Sequence, residues 1–141
     1  GDPAVNAVWS KAYIPDDGIM RNNTRGMVTF AQPGQPNMRT TQIFINYGDN
    51  SYLVDHGQFA PFGKVISGMD VVDSIYSGYG EAKPRGQGPQ QARIANEGNE
   101  YLRPRYPNLD YIIRASIVEA DPSSEGSEEE KETPKTSGGG R

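Results

Sequence analysis

Residues 25–46 read RGMVTFAQPGQPNMRTTQIFIN, and this stretch predicts two short strands joined by a loop. Residues 27–31 form a β-favouring run that stops at the Gly and Pro residues of 33–36. Residues 42–46 alternate in the two-residue period of a strand, which puts three side chains on one face: Gln42, Phe44 and Asn46.

Further elements are predicted on the C-terminal side of this stretch. Residues 62–66 indicate a third strand, and the apolar spacing of Met69, Val72 and Tyr76 indicates a helix. Ser67 stands three residues before Asp70, an approximate capping box for that helix. A Gly- and Pro-rich stretch, residues 78–107, follows with three anchors: Ile94, Tyr101 and Leu102.

The last predicted strand covers residues 111–118. Its alternation places four side chains on one face, which we expect to point inward: Tyr111, Ile113, Ala115 and Ile117. The chain is thus mainly β with one good helix, and its turn spacing suits an antiparallel barrel or sandwich. Four strands are fewer than the roughly eight that close a barrel filled by side chains.

Composition and charge exclude several functions. Residues 1–118 hold equal numbers of acidic and basic side chains, so there is no cationic stripe for nucleic acid, and no run is long enough to span a membrane. Cysteine is absent and His56 is the single histidine, which removes thiol catalysis and multi-histidine metal sites. Residues 120–141 are acidic and rich in Gly and Ser, and predict a disordered tail after a domain of residues 1–119.

Four pieces of the sequence, taken in order, resemble the cyclophilins, the peptidyl-prolyl cis-trans isomerases inhibited by cyclosporin. The pieces are residues 25–31, 41–45, 62–65 and 68–72. The resemblance implies an antiparallel closed barrel of eight strands with capping helices, which this chain enters after the first strands and the segment that carries the family's catalytic arginine. We therefore expect an unpaired edge at the strand of residues 27–31 or at that of residues 111–118.

The resemblance also assigns the residues of a substrate groove. Gln32, the candidate catalytic residue, and Ala31 match the Ala-Asn pair whose backbone holds the substrate peptide. The other matches are to groove and proline-pocket positions: Gln42, Phe44, Leu53, and Tyr52 in place of a Trp that contacts cyclosporin. Counted back from Phe62, Phe59 takes the place of the family's pocket His, whereas counting forward from Leu53 leads to Gly57. Without the resemblance, Phe44 and Leu53 would be read as core residues and Gln42 as a solvated strand residue.

The function implied is isomerisation of X–Pro bonds in proteins, a folding or chaperone activity that needs no metal or cofactor. The expected partners are proline-containing peptides, with weak cyclosporin binding because Tyr52 replaces Trp. The alternative is a non-catalytic cyclophilin-like subunit of a larger assembly, favoured by Gln32 in place of Asn and by Pro33, which lacks an N–H group.

Overall fold

The computed structural model describes residues 2–56 and 59–119. The described residues divide into two units between Asp110 and Tyr111, and the predicted tail of residues 120–141 lies outside the described part. No helix in the described residues is long and apolar enough to cross a membrane.

A three-stranded antiparallel sheet forms from β1 (Met27–Phe30), β2 (Ile43–Ile45) and β3 (Pro61–Lys64). The strand order is β2-β1-β3, so that β1 is hydrogen-bonded on both sides. The three strands predicted here are confirmed, but the unpaired edge predicted at residues 27–31 is wrong. The two outer strands, β2 and β3, form the edges of this sheet among the described residues.

The sheet is open among the described residues, as expected for a chain that holds fewer strands than a closed barrel needs. Three strands cannot curve round to meet, because a barrel filled by side chains takes about eight. Apolar side chains are left facing solvent as a result, and Ile43 on β2 is 52% exposed.

The strand predicted over residues 111–118 is also wrong. This segment has no regular structure in the second unit, and its expected inward face is exposed, with Ile113 at 98% and Ile117 at 100%. Alternation alone does not make a strand, since its backbone N–H and C=O groups need a paired neighbour to form a ladder.

Helix α2 (Met69–Asp73) confirms the predicted helix in a shorter form. Its N-cap is Gly68, in the left-handed conformation with φ 84°, and no side chain caps the helix. The capping box predicted from Ser67 is therefore wrong. A φ of this sign favours glycine, so the local backbone rather than a hydroxyl begins this helix.

Three further helices were not predicted: α1 (Pro3–Trp9), α3 (Gln91–Glu97) and α4 (Asn99–Arg105). The Asp2 carboxylate begins α1 by accepting hydrogen bonds from the amides of Ala4 and Val5. Helices α3 and α4 lie in the stretch interpreted as a Gly- and Pro-rich loop. Two of its three predicted anchors, Tyr101 and Leu102, are buried on α4.

Most fully buried side chains of the first unit are polar. Asn23, Thr29, Arg39 and Asn46 are at most 1% exposed, whereas the buried apolar residues are Ala60, Tyr101 and Leu102. Buried polar groups stabilise a fold only when they are hydrogen-bonded. The positions of the loops around the sheet therefore depend on specific hydrogen bonds.

Candidate peptide-binding site

Two aromatic rings predicted to share a proline pocket meet beside the sheet. The rings of Phe44 on β2 and Phe59 in the loop before β3 are arranged edge to face, with centroids 6.2 Å apart and planes at 67°. Both residues are half-buried, so each ring keeps an accessible surface. An aromatic pair of this kind offers an apolar contact surface for a ring such as that of proline.

The sheet register fixes Phe44. Its Cα is paired with that of Thr29 on β1, and Thr29 is fully buried. The Thr29 hydroxyl donates to Asn23 Oδ1 at 2.6 Å, which ties the strand to the segment before it. The strand that carries Phe44 is thus anchored to the middle of the sheet.

Phe59 is held by the same polar network. Asn23 Nδ2 donates to the Phe59 carbonyl oxygen at 2.8 Å, and Asn46 Nδ2 donates to Asn23 Oδ1 at 3.1 Å and to the Met27 carbonyl at 2.9 Å. Sequence reasoning did not identify this network. The spacing of residues 42–46 predicts Asn46 on the same face as Phe44, and this was the available indication that Asn46 belongs near the site.

The network continues into the loop that bears Tyr52 and Leu53. Asn50 donates from Nδ2 to Asn46 Oδ1 at 2.9 Å, and its amide donates to the Asn23 carbonyl at 2.8 Å. A 3₁₀ helix, Ser51–His56, follows directly. Leu53 is half-buried within it, while Tyr52 is 61% exposed, so the two predicted groove residues differ in their access to solvent.

Ala31 and Gln32 follow β1 and are half-buried. The Ala31 amide donates to the Gln42 carbonyl at 2.8 Å, which extends the β1–β2 pairing by one residue. That amide is occupied within the chain, so Ala31 can offer a peptide its carbonyl oxygen but not its N–H group.

Gln42 is exposed and borders a cavity of about 360 Å³ that Phe44 and Phe59 do not line. The other walls of this cavity come from α1, α3 and Thr40–Thr41. The α1 wall includes Asn6 and the α3 wall includes Ile94. The structure therefore brings Phe44 and Phe59 together and places the Gln42 side chain beside the helices.

A buried arginine supports the loop between β1 and β2, and sequence reasoning did not identify its role. Arg39 is 1% exposed, and its Nε and Nη1 lie 3.3 and 3.1 Å from carboxylate oxygens of Asp16 and Asp17. It also donates to the Pro15 carbonyl, and its guanidinium lies 5.6 Å from the Phe30 ring centroid. The available signal was that Arg39 is the sole charged residue between positions 26 and 46.

A second arginine, Arg25, forms an ion pair with Asp73 at the end of α2. Its Nη2 lies 2.6 Å from Asp73 Oδ2, and its Nη1 donates to the Tyr47 carbonyl at 2.7 Å. The hydrogen bond from Arg25 lowers the pKa of the Asp73 carboxyl. Arg25 and Arg39 therefore hold structural positions.

The predicted site residues carry no carboxylate, imidazole or amine. Their chemistry is that of apolar contact and of amide hydrogen bonding, which suits a reaction without covalent or acid–base steps. Among the described residues, no three His, Cys, Asp or Glu side chains come together as a metal site.

Comparisons with known proteins bear on the family to which the chain belongs. The model of the family described as "Cyclophilin type peptidyl-prolyl cis-trans isomerase/CLD" matches residues 3–98. The chain is 51% identical over 57 residues to a peptidyl-prolyl cis-trans isomerase of Acinetobacter baylyi, covering 38% of this chain and 30% of that protein. It is 44% identical over 64 residues to peptidyl-prolyl cis-trans isomerase A of Dickeya dadantii, covering 43% of this chain and 32% of that protein.

The family match spans more than half of the chain, and the chain belongs to the cyclophilin-type peptidyl-prolyl cis-trans isomerase family. This confirms the resemblance drawn from the four sequence pieces. The matched stretches cover about a third of the length of those two relatives. Phe44 and Phe59 both lie inside the family match.

Proposed function

We propose that the protein catalyses cis–trans isomerisation of X–Pro peptide bonds in protein substrates. Rotation about this bond breaks amide resonance, with a barrier of roughly 18–20 kcal/mol, and requires no covalent intermediate. A catalyst has only to bind the twisted amide better than either planar isomer. The observation that supports the proposal most is the apposition of Phe44 and Phe59 within the family-matched segment.

The residues divide into two roles. Phe44 and Phe59, with Leu53, would hold the proline ring, and the Ala31 carbonyl with Gln32 would anchor the flanking peptide. These contacts orient the bond, which accelerates a reaction by restricting the substrate to reactive geometries. Catalysis also calls for a hydrogen-bond donor to the proline nitrogen, which the family supplies from an arginine. No arginine in this sequence matches the motif of that residue.

A protease-coupled assay on an Ala-Pro peptide tests the proposal with the intact protein. We expect a rate above the uncatalysed one, with kcat/KM lowered about tenfold or more by Phe44→Ala and retained in Ile43→Ala, the neighbouring residue on the opposite face. An uncatalysed rate in folded, intact protein would contradict the proposal. Binding of the peptide without catalysis would instead support a non-catalytic cyclophilin-like subunit, which the relatives named as isomerases do not favour.

Cyclosporin provides a second arm of the same assay. The exposed phenol of Tyr52 stands where many family members carry a Trp that contacts this inhibitor. We expect inhibition that is weaker than in Tyr52→Trp, because the larger indole buries more apolar surface on binding. Equal inhibition of the wild type and Tyr52→Trp would show that residue 52 does not contact the inhibitor.

A further inference from the structure

A second cavity, of about 490 Å³, is formed by α3, α4 and the loop before them. Its lining includes three cationic side chains, Lys83, Arg93 and Arg105, and two phenols, Tyr101 and Tyr106. The described lining residues include no Asp or Glu. A concave surface with this composition has the chemistry that recognises an oxyanion.

Arg93, which lines this cavity, is positioned by contacts with Tyr101 and Glu97. Its guanidinium lies 4.0 Å from the Tyr101 ring centroid, and its Nε and Nη2 bind the two carboxylate oxygens of Glu97 at 2.5 and 2.6 Å. The Nη1 group of Arg93 takes no part in this ion pair. With Lys83 and Arg105, the cluster holds three cations against the one carboxylate of this pair, so its net charge is positive.

The two phenols contribute a directed hydroxyl group. Tyr106 lies 3.3 Å from the Gly88 carbonyl, which can only accept, while the Gln90 amide donates to the Tyr101 oxygen at 3.2 Å. The two hydroxyl oxygens are 3.1 Å apart. The Tyr106 proton points either to the Gly88 carbonyl or to the Tyr101 oxygen, and in both cases Tyr101 keeps its own proton, which can reach a bound acceptor.

The electrostatic environment agrees with this arrangement. The hydrogen bond with the Tyr106 hydroxyl lowers the pKa of Tyr101, as do the Gln90 amide and the nearby charges of Arg93 and Arg105. An environment that favours a negative phenol oxygen also favours an anionic ligand beside it.

Part of this cavity lies beyond the family match, which ends at residue 98. Tyr101, Arg105 and Tyr106 all follow that point. We propose that the cavity is an oxyanion-binding site that takes a phosphate or carboxylate group, with Arg93, Arg105 and Lys83 supplying charge and Tyr101 a hydroxyl donor. The group is carried either by a free ion or by an acidic side chain of a bound peptide.

Inorganic phosphate, titrated into ¹⁵N-labelled intact protein at constant ionic strength, tests the site without reference to isomerase activity. We expect saturable shifts of the Arg93 Nε–H and Gln90 amide signals. Arg105→Gln should weaken phosphate binding by about fivefold or more, because it removes a charge-assisted hydrogen bond. Arg103→Gln is the matched control, since it removes the same charge from the same helix at a residue that does not line the cavity.

Shifts that do not saturate, or equal weakening in the two variants, would overturn the proposal. Lys83→Gln, which lies outside the helices, repeats the test if Arg105→Gln fails to fold. A pair of proline peptides carrying Glu or Gln then distinguishes the sources: competition with phosphate by the Glu peptide alone indicates a peptide side chain. Phosphate binding that neither peptide displaces indicates a free ion.

Discussion

Asn23 donates a hydrogen bond from Nδ2 to the backbone carbonyl of Phe59 at 2.8 Å, joining residues 36 positions apart in the sequence. Its Oδ1 accepts from the Thr29 hydroxyl and from Asn46 Nδ2. One fully buried amide thereby connects β1, the residue after β2 and the loop before β3. The position of the Phe59 ring next to Phe44 therefore depends on the hydrogen bonds of a buried polar residue.

Replacing this amide should destabilise the fold. We expect Asn23→Ala to lower the free energy of unfolding by about 1–3 kcal/mol, because the Phe59 carbonyl and Asn46 Nδ2 would each lose a buried partner. Urea unfolding of the intact protein measures the effect, with the exposed neighbour Asn22→Ala as control. Equal stability of the two variants would show that water replaces the lost hydrogen bonds.

The fold could be predicted in part because short strands and α2 leave local patterns. Alternation and breakers located β1, β2 and β3 to within a few residues. The same alternation misled at residues 111–118, since pairing depends on a partner strand that a local pattern does not reveal. Helices α3 and α4 were missed because Gly98 divides them into two seven-residue pieces, each too short to give a sustained helical period.

Candidate site residues could be predicted where the residue type or its position in the family pattern indicates a role in binding. Phe44 came from a family motif and Phe59 from its position relative to Phe62, and the two rings lie edge to face. Asn23 and Arg39 carry no such signal, because the partners that tie each of them to a distant part of the chain lie more than 20 positions away. A single sequence therefore does not identify the residues that position the site through long-range hydrogen bonds.

Arg39 provides the second prediction. We expect Arg39→Lys to lower the free energy of unfolding by about 3 kcal/mol, because an ammonium group cannot reach Asp16, Asp17 and the Pro15 carbonyl together, although the charge is kept. Thermal unfolding is the measurement, and Arg21→Lys on the surface is the control. A melting temperature unchanged from that of the wild type would contradict the interpretation that the guanidinium fork holds this loop.

The aromatic pair gives a prediction that rests on the proposed isomerase activity. Phe44→Ala should lower kcat/KM by about tenfold or more, since loss of a half-buried ring removes roughly 1.5 kcal/mol of apolar contact, and 1.36 kcal/mol is a factor of ten. Phe59→Ala should act in the same direction. The double variant should lose less than the product of the two single losses, because the rings contact each other. Multiplicative losses would indicate two independent sites.

The ion pair of Arg25 and Asp73 predicts a pH dependence of stability. Arg25 lowers the pKa of Asp73 in the folded protein, whereas the unfolded carboxyl titrates near about 3.9. The contribution of the pair is therefore fully present above the unfolded pKa and is lost as the pH falls through the folded one. Both side chains are nearly half exposed, so the effect should be small and reduced by salt. A double-mutant cycle of Arg25→Gln and Asp73→Asn, followed by melting temperature, should show coupling at pH 7 that is smaller at pH 2. Coupling of equal size at both pH values would mean that the carboxylate charge does not hold the pair together.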